Sequence, residues 1–182
     1  SAFILDTDDA SADGLVAQTS NGGGPGCAIY GLGPEGTSLR IAQGEQDPHY
    51  RGWMPRDGDI SCCHPVPAAI YSFKGSGKII SSYIIVPMRD GNSNPVTSVS
   101  SAPTSPSAVC SIGGVIRRID GRQIYFVQRE PGDHSIRGLN GETDTEAGAM
   151  VITESGCIEA LHLPAGTGVW GDGQSLSVGD YI

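Results

Sequence analysis

The sequence predicts an all-β fold, an antiparallel β-sandwich or a jelly-roll-like barrel with long loops. Glycine occurs 27 times and proline 12 times in the 182 residues, and both residue types interrupt helices. No apolar pattern with a period of 3.6 residues continues beyond about ten residues, so long helices are not expected. The remaining apolar segments have strand length and are separated by turn residues, which indicates roughly ten to twelve short strands.

The clearest predicted element is a β-hairpin over residues 109–129, where two apolar runs flank Asp120 and Gly121. Asp-Gly is typical of a two-residue hairpin turn, because both turn positions favour positive φ. Such a turn pairs Ile119 with Arg122 and thereby fixes the register of the whole hairpin. The base of the hairpin is apolar, and its tip should project into solvent with the arginines Arg117, Arg118 and Arg122.

Before residue 90, strands are expected at 15–20, 27–31, 37–43, 68–73 and 78–86. Residues 44–67 should form an irregular connection that carries aromatic and charged side chains. The last two of these strands should pair as a hairpin around a Lys-Gly-Ser-Gly turn. The strand at 78–86 contains the most apolar run of the chain, so we expect it at the centre of a sheet.

Residues 90–107 are rich in serine, threonine and proline. They form either a linker between two domains or a long surface loop of one domain. We favour one domain over residues 1–182, because strands suited to a core occur on both sides. Further along, residues 130–148 should be an exposed acidic loop, 149–153 and 157–163 a hairpin, and 169–170 and 175–178 short closing strands.

The bulk composition restricts the classes of partner. The formal net charge is −9, and lysine and arginine together number only 11, so no broad basic face for nucleic acid is expected. No apolar run approaches the roughly 20 residues that span a bilayer, so membrane insertion is not expected either. No signal peptide is recognisable, and we expect a domain excised from a longer chain. The five cysteines are read as free buried thiols, with one or two disulfides or a zinc site as alternatives.

The acidic start of the chain is the sharpest candidate for a metal site. Closely spaced carboxylates supply the oxygen ligands that Ca²⁺ prefers. The alternatives are a solvated acidic terminus and a phosphotransfer motif, although the turn and the sheet that such a motif needs are missing. The candidate ligands for Ca²⁺, the only cofactor that the sequence suggests, are Asp6, Asp8, Asp9 and Asp13.

No catalytic signature is present, and we do not expect an enzyme. Gly-x-Ser-x-Gly is absent, and the spacing around Lys74 and Lys78 does not match a phosphate loop. A binding site needs only an aromatic platform and convergent polar groups. The best such group is Trp53 with Tyr50, His49, Arg51 and Asp57, and Trp170 with Asp172 is the second. The arginine tip of the 109–129 hairpin is a separate candidate, for an anionic glycan.

The scarcity of lysine, the Gly/Ser/Thr/Pro content, the short strands and the polar loops at 90–107 and 130–148 resemble those of protruding domains in capsid proteins of small non-enveloped RNA viruses. The tetravirus-like group that includes Lake Sinai virus and the nodavirus group are the families in question. The resemblance implies a virion-surface domain that attaches to a host-cell receptor or glycan and associates as a dimer or trimer. Some nodavirus projections bind Ca²⁺ through clustered aspartates, which the acidic start of this chain resembles.

The sequence therefore leaves three functions open. The first is a virion-surface attachment domain, which predicts oligomerisation and no preorganised catalytic pocket. The second is a carbohydrate-binding or adhesive β-module, such as a lectin or a phage tail tip, which predicts a concave site beside a tryptophan. The third is a β-rich hydrolase, which predicts a histidine bonded to both a nucleophile and a carboxylate.

Overall fold

The computed structural model describes residues 2–5, 10–19, 24–56, 59–77, 79–89, 93–102, 111–129, 136–138, 141–143, 147–162, 167–170 and 174–177. Within these residues the chain forms eighteen strands and no helix, which confirms the all-β prediction and exceeds the expected number of strands. Every strand pair is antiparallel. Across the described part of the chain, no helix is long and apolar enough to cross a membrane.

The contacts divide the chain into two compact units, residues 1–94 and 95–182. The boundary falls inside the polar segment 90–107, for which the sequence left a linker and a surface loop open. The single-domain interpretation stays a prediction.

The described residues of the first unit form three sheets. Their strand orders are β1-β8-β5, β2-β3-β4-β9 and β6-β7. The strands are β1 (Ala2–Ile4), β2 (Ala10–Asp13), β3 (Val16–Thr19), β4 (Gly26–Leu32), β5 (Ser38–Gln43), β6 (Trp53–Arg56), β7 (Asp59–Pro65), β8 (Pro67–Ser72) and β9 (Ser82–Met88).

The two larger sheets of this unit pack face to face as a sandwich, one of the two predicted architectures. Their shared core is a buried cluster to which both sheets contribute, namely Leu5, Ala17, Ile29, Ala69 and Tyr71. Alternation along the strands explains the arrangement, since every second residue faces the opposite sheet. The described strands of the unit form open sheets, so these residues do not form the barrel that was the alternative prediction.

Tyr71 connects the two sheets of the sandwich. It lies on β8 and is 2% exposed, and its hydroxyl donates to the Ile29 carbonyl of the facing sheet at 2.9 Å. Its ring packs against Tyr83 with centroids 5.0 Å apart and against Phe3 at 6.1 Å. Gly31 lies directly under the ring, since a Cβ at Gly31 would be 2.8 Å from Tyr71 Cδ1. The core therefore depends on one tyrosine and on the space that one glycine leaves for it.

Three predictions in this unit were wrong. The strands β8 and β9 do not form a hairpin, because β8 pairs with β1 and β5 whereas β9 pairs with β4. The apolar run does not lie in the centre of a sheet: β9 is an edge strand. Residues 44–67 are not irregular throughout, because β6 and β7 pair with each other. The first two errors share a cause, since the chain passes from one sheet of the sandwich to the other between β8 and β9, which local patterns do not indicate.

The second unit contains a five-stranded sheet, β10-β11-β12-β15-β16, and a four-stranded sheet, β13-β14-β17-β18. The strands are β10 (Val96–Ala102), β11 (Ser111–Arg118), β12 (Gln123–Arg129), β13 (Ile136–Gly138), β14 (Gly141–Thr143), β15 (Ala147–Ile152), β16 (Ile158–His162), β17 (Thr167–Trp170) and β18 (Gln174–Ser177).

The predicted hairpins β11–β12 and β15–β16 are confirmed. The two short closing strands expected at 169–170 and 175–178 are found as the antiparallel pair β17–β18. The polar segment 90–107 is not a loop throughout, because β10 lies within it and pairs with β11. Its serine, threonine and valine residues form a polar edge strand, which hydrophobicity alone does not distinguish from a loop. The acidic loop expected at 130–148 likewise contains β13 and β14.

The register predicted for the central hairpin was off by one residue. Arg118, not Ile119, is the residue opposite Arg122, and its N–H donates to the Arg122 carbonyl at 2.9 Å. The turn therefore has three residues, with Gly121 at a φ of 79°. Asp-Gly fits this turn as well, because a type I turn followed by a glycine in the left-handed region is the usual three-residue hairpin loop.

The described cysteines Cys27, Cys62, Cys63 and Cys157 are free, as the sequence favoured. Only Cys27 is partly buried, and this burial raises the pKa of its thiol. The expectation of buried thiols was therefore wrong for the other three, which are exposed. Cys110 lies outside the described residues.

Candidate functional site

The predicted aromatic group falls on an ordered loop of the first unit, residues 44–53, which we call the 44–53 loop. Its two arms run antiparallel. The Gly44 N–H donates to the Gly52 carbonyl at 3.0 Å, and Glu45 and Arg51 exchange two backbone hydrogen bonds of 3.0 and 3.1 Å. The Gly52 carbonyl also accepts from the Val66 N–H at 2.8 Å. The first three bonds join the two arms to each other, and the bond to Val66 ties the second arm to the residue before β8.

Two side-chain interactions hold the arms of the loop from either side. The Trp53 indole N–H donates to the Glu45 carbonyl at 2.8 Å. The Glu45 carboxylate forms a bidentate ion pair with Arg40 on β5, in which Arg40 Nη2 donates to Glu45 Oε2 at 2.9 Å. This ion pair lowers the pKa of Glu45. Trp53 is half-buried and its indole N–H is already hydrogen-bonded. We therefore assign the Trp53 side chain to anchoring the loop rather than to a free stacking surface for a ligand.

The tip of the 44–53 loop is fully turned to solvent. Residues 46–50 are all exposed, and Tyr50 is 79% exposed, the highest value among the exposed large hydrophobic residues of the described chain. His49 is its exposed neighbour, whereas Arg51 is half-buried in the arm. The structure thus brings Tyr50, His49, Arg51 and Trp53 together on one loop; Asp57 lies outside the described residues. An aromatic ring on an ordered support can stack on a sugar or enter a protein pocket.

The arginine tip of the second unit is a charge-compensated network. Arg118 and Arg122 both bond to Asp120, and Arg122 also binds Glu159 on β16 through contacts of 2.7 and 2.8 Å. Two guanidinium groups are therefore matched by two carboxylates. Arg117 is bonded to the Ser100 hydroxyl at 3.3 Å. An anionic glycan would have to compete with these carboxylates, so the network weakens the case for anion binding at this tip.

The pKa of the Asp120 carboxyl reports on this network of ion pairs. Its hydrogen bond from Arg118, with further contributions from Arg122, lowers its pKa to about 2 from an ordinary value of 3.8. Because the pKa is lowered by folding, the stabilisation is present above about pH 4 and is lost as the pH falls through about 2. We expect an NMR titration of the carboxyl carbon to give this midpoint, and Arg118→Ala to raise it.

Arg117→Ala is the matched control for that titration, because Arg117 bonds to Ser100 and not to Asp120. An Asp120 midpoint at the ordinary value in the native protein would show that the network does not persist in solution. Equal shifts in the two variants would show that the effect is general rather than specific to the Arg118 contact.

A hollow of about 660 Å³ lies beside this network and opens to solvent. Its lining comes from the two turns at the end of the five-stranded sheet and consists of Asp120, Arg122, Thr153, Glu154 and Ser155. Carboxylates, a guanidinium and hydroxyls can each bond to the hydroxyls of a sugar. The sequence did not indicate this hollow, because Glu159 and the 153–157 turn reach the arginines only through the strand order.

The candidate calcium ligands are only partly described. Asp13 ends β2 and is exposed, whereas Asp6, Asp8 and Asp9 lie outside the described residues. Within the residues that the structure describes, no three His, Cys, Asp or Glu side chains form a possible metal cluster. The calcium site stays a prediction.

Of the described histidines, His49 and His162 are exposed and His64 is half-buried. The Nδ1 atom of His64 is buried and has no hydrogen-bond partner among the described residues. Met54 lies opposite His64 in the β6–β7 pair, and the hydrolase alternative stays a prediction.

In comparisons with known proteins, no family model and no curated relative matches the chain.

Proposed function

We propose that the chain is the projecting attachment domain of a virus capsid protein, displayed on the virion surface, and that the tip of its 44–53 loop contacts a receptor or glycan on the host cell. The proposal rests on one observation. Tyr50 is 79% exposed, and it lies at the tip of a loop whose two arms are joined by backbone hydrogen bonds. Exposed aromatic residues on ordered loops are frequent centres of binding energy.

Three further features support an attachment role. The sandwich supplies a rigid support, and loops on such supports commonly carry binding residues. The anchoring by Trp53 and by the Arg40–Glu45 pair reduces the entropy that the loop loses on binding. The net charge of −9 favours solubility of a displayed domain.

We expect Tyr50→Ala to reduce binding to host cells or to a glycan array at least tenfold, while the melting temperature stays unchanged. The reason is that truncation of a central aromatic typically costs about 2 kcal/mol or more of binding free energy. Ile119→Ala is the matched control, because Ile119 is also a large apolar residue at an exposed turn, 69% exposed, but in the second unit. Unchanged binding by Tyr50→Ala, or an equal loss with Ile119→Ala, would contradict the proposal.

The alternative is a carbohydrate-binding or adhesive β-module from another source, and the polar hollow beside Asp120 favours it. Its lining of carboxylates, guanidinium and hydroxyls suits a neutral sugar, because the two arginines of the network are already matched by acidic groups. Glycan binding that survives Tyr50→Ala but is lost in a Thr153→Ala/Ser155→Ala double variant would identify this module instead.

A further inference from the structure

The free edge of β9 differs from the other sheet edges of the described chain. β9 has seven residues, Ser-Tyr-Ile-Ile-Val-Pro-Met, and none is charged. The other edge strands of five or more residues in the larger sheets carry charges or bulges: β5 contains Arg40, β16 contains Glu159 and a bulge, and β10 is polar and bulged. β9 contains Pro87 near its end, but its residues 82–86 have neither a charge nor a bulge. Exposed, uncharged, apolar edges are the ones that pair with another strand.

The register shows which backbone groups of β9 point outwards. Gly31 donates its N–H to Leu15, and the Cys27 N–H bonds to Thr19, so these two residues of β4 face the β3 side. Alternate residues face alternate neighbours, and therefore Ala28, Tyr30 and Leu32 face β9 and bond to Val86, Ile84 and Ser82. The remaining residues of β9, namely Tyr83, Ile85 and Pro87, direct their backbone groups away from the sheet.

Pro87 occupies the outward position where an N–H would otherwise be unpaired, as expected of an edge strand. Two outward N–H donors remain, those of Tyr83 and Ile85, and one residue, Ile84, lies between them along the strand. The Ile85 side chain is 57% exposed although its neighbour on β4, Ile29, is buried in the core. Within the described residues, no backbone bond is made to this outer side of β9.

We propose that β9 pairs antiparallel with β9 of a second copy of this chain, around a twofold axis at Ile84. In this register Tyr83 of one copy lies opposite Ile85 of the other, and each pair exchanges two backbone hydrogen bonds. All four outward N–H donors of the two strands are then satisfied. Each Tyr83 ring also gains an exposed Ile85 side chain as its cross-strand neighbour, a favourable aromatic–aliphatic pair.

A second copy is the occupant that the hydrogen-bond pattern favours. The spacing of the two donors is complementary to itself when the strand is reversed, so a twofold axis satisfies both. Two chains with a net charge of −9 repel each other, and the uncharged β9 edge allows them to approach without a like-charge contact at the pairing strand. The geometry gives a dimer rather than a trimer, and it does not depend on the proposed attachment function.

The first test is sedimentation velocity of the full chain over a wide range of concentrations. We expect a monomer–dimer equilibrium that Ile85→Lys shifts at least tenfold towards monomer, because it places a charge in the pairing edge without disturbing a buried residue. The matched control is Ile119→Lys, which changes another exposed isoleucine and should leave the equilibrium unchanged. A monomer at every concentration, a trimer, or a dimer that Ile85→Lys does not weaken would overturn the proposal.

The second test measures the register by disulfide formation, in a background with the exposed cysteines Cys62, Cys63 and Cys157 replaced by serine. Residues opposite each other in a non-hydrogen-bonded antiparallel pair have Cα atoms about 4.5 Å apart, which suits a disulfide. Ile84→Cys should therefore form a cross-linked dimer on oxidation. Val86→Cys, on the same face but opposite Ser82, should not. Cross-linking by Val86→Cys and not by Ile84→Cys would overturn this register.

Discussion

Gly52→Ala should destabilise the first unit by about 3–5 kcal/mol and free the 44–53 loop from its support. A Cβ at this position would lie 2.5 Å from the Ala42 carbonyl oxygen and 2.6 Å from that of Val66. Both obstacles are backbone atoms of the sandwich, so no side chain can rotate to make room. The backbone at Gly52 also has a φ of 68°, which an alanine adopts only with strain.

The Gly52 substitution has a close control in Gly14→Ala. Gly14 has a similar φ of 56°, but a Cβ there would meet no atom within 4 Å. The control therefore isolates the cost of the left-handed backbone, about 1–2 kcal/mol, from the cost of the clash. Equal losses of stability in a urea titration of the two variants would show that the crowding around Gly52 is relieved in solution.

The consequence for function follows from the bonds of Gly52. Its carbonyl accepts from Gly44 in the opposite arm and from Val66 next to β8, so a displaced Gly52 breaks one bond between the arms and one bond between the loop and the sandwich. Tyr50 would then remain exposed but on an unanchored segment. If attachment uses an ordered loop, binding by Gly52→Ala should fall even under conditions where the rest of the unit is folded.

The sequence predicted those parts of this fold that are decided by neighbouring residues. The β11–β12 and β15–β16 hairpins carry their turn residues between their strands, and both are found. Even there, Asp-Gly fits two turn lengths, and the register came out one residue away from the prediction.

Strand order was not predictable, because it depends on contacts between segments distant in the chain. The apolar run before Met88 looks like a central strand, and only its pairing with β4 shows that it lies at an edge. The same limit applies to the candidate sites. Tyr50 and Trp53 could be selected as neighbouring aromatic residues, but nothing local indicates that Trp53 bonds to Glu45 or that Glu159 reaches Arg122.

Tyr71 is the second position where we expect a large effect, and two substitutions separate its contributions. Tyr71→Ala should cost about 3–5 kcal/mol, because it empties a ring-sized volume between the two sheets. Tyr71→Phe keeps the ring but leaves the Ile29 carbonyl without the hydroxyl that bonds to it at 2.9 Å, and should cost about 1–3 kcal/mol. The control is Tyr125→Phe, which should cost little because the Tyr125 hydroxyl bonds to the Gln123 side chain on a partly exposed face.

The pH dependence of stability tests the same hydroxyl independently. Burial of Tyr71 between the sheets raises its pKa to about 12, from an ordinary value of 10.0. A group whose pKa is raised by folding stabilises the protein fully below its unfolded pKa, and this stabilisation is lost as the pH rises from about 10 to about 12. A shift of this size corresponds to at most about 3 kcal/mol.

Tyr71→Phe should therefore be less stable than the native protein at neutral pH but should lose less additional stability between pH 10 and 12. Some alkaline loss will remain in the variant, because burial also raises the pKa values of Cys27 and Tyr30 in the same unit. The informative quantity is thus the difference between the two stability curves, which should narrow as the pH rises. A difference that stays constant would mean that the Tyr71 hydroxyl does not bridge the two sheets, and Tyr71 would then stabilise the sandwich through its ring alone.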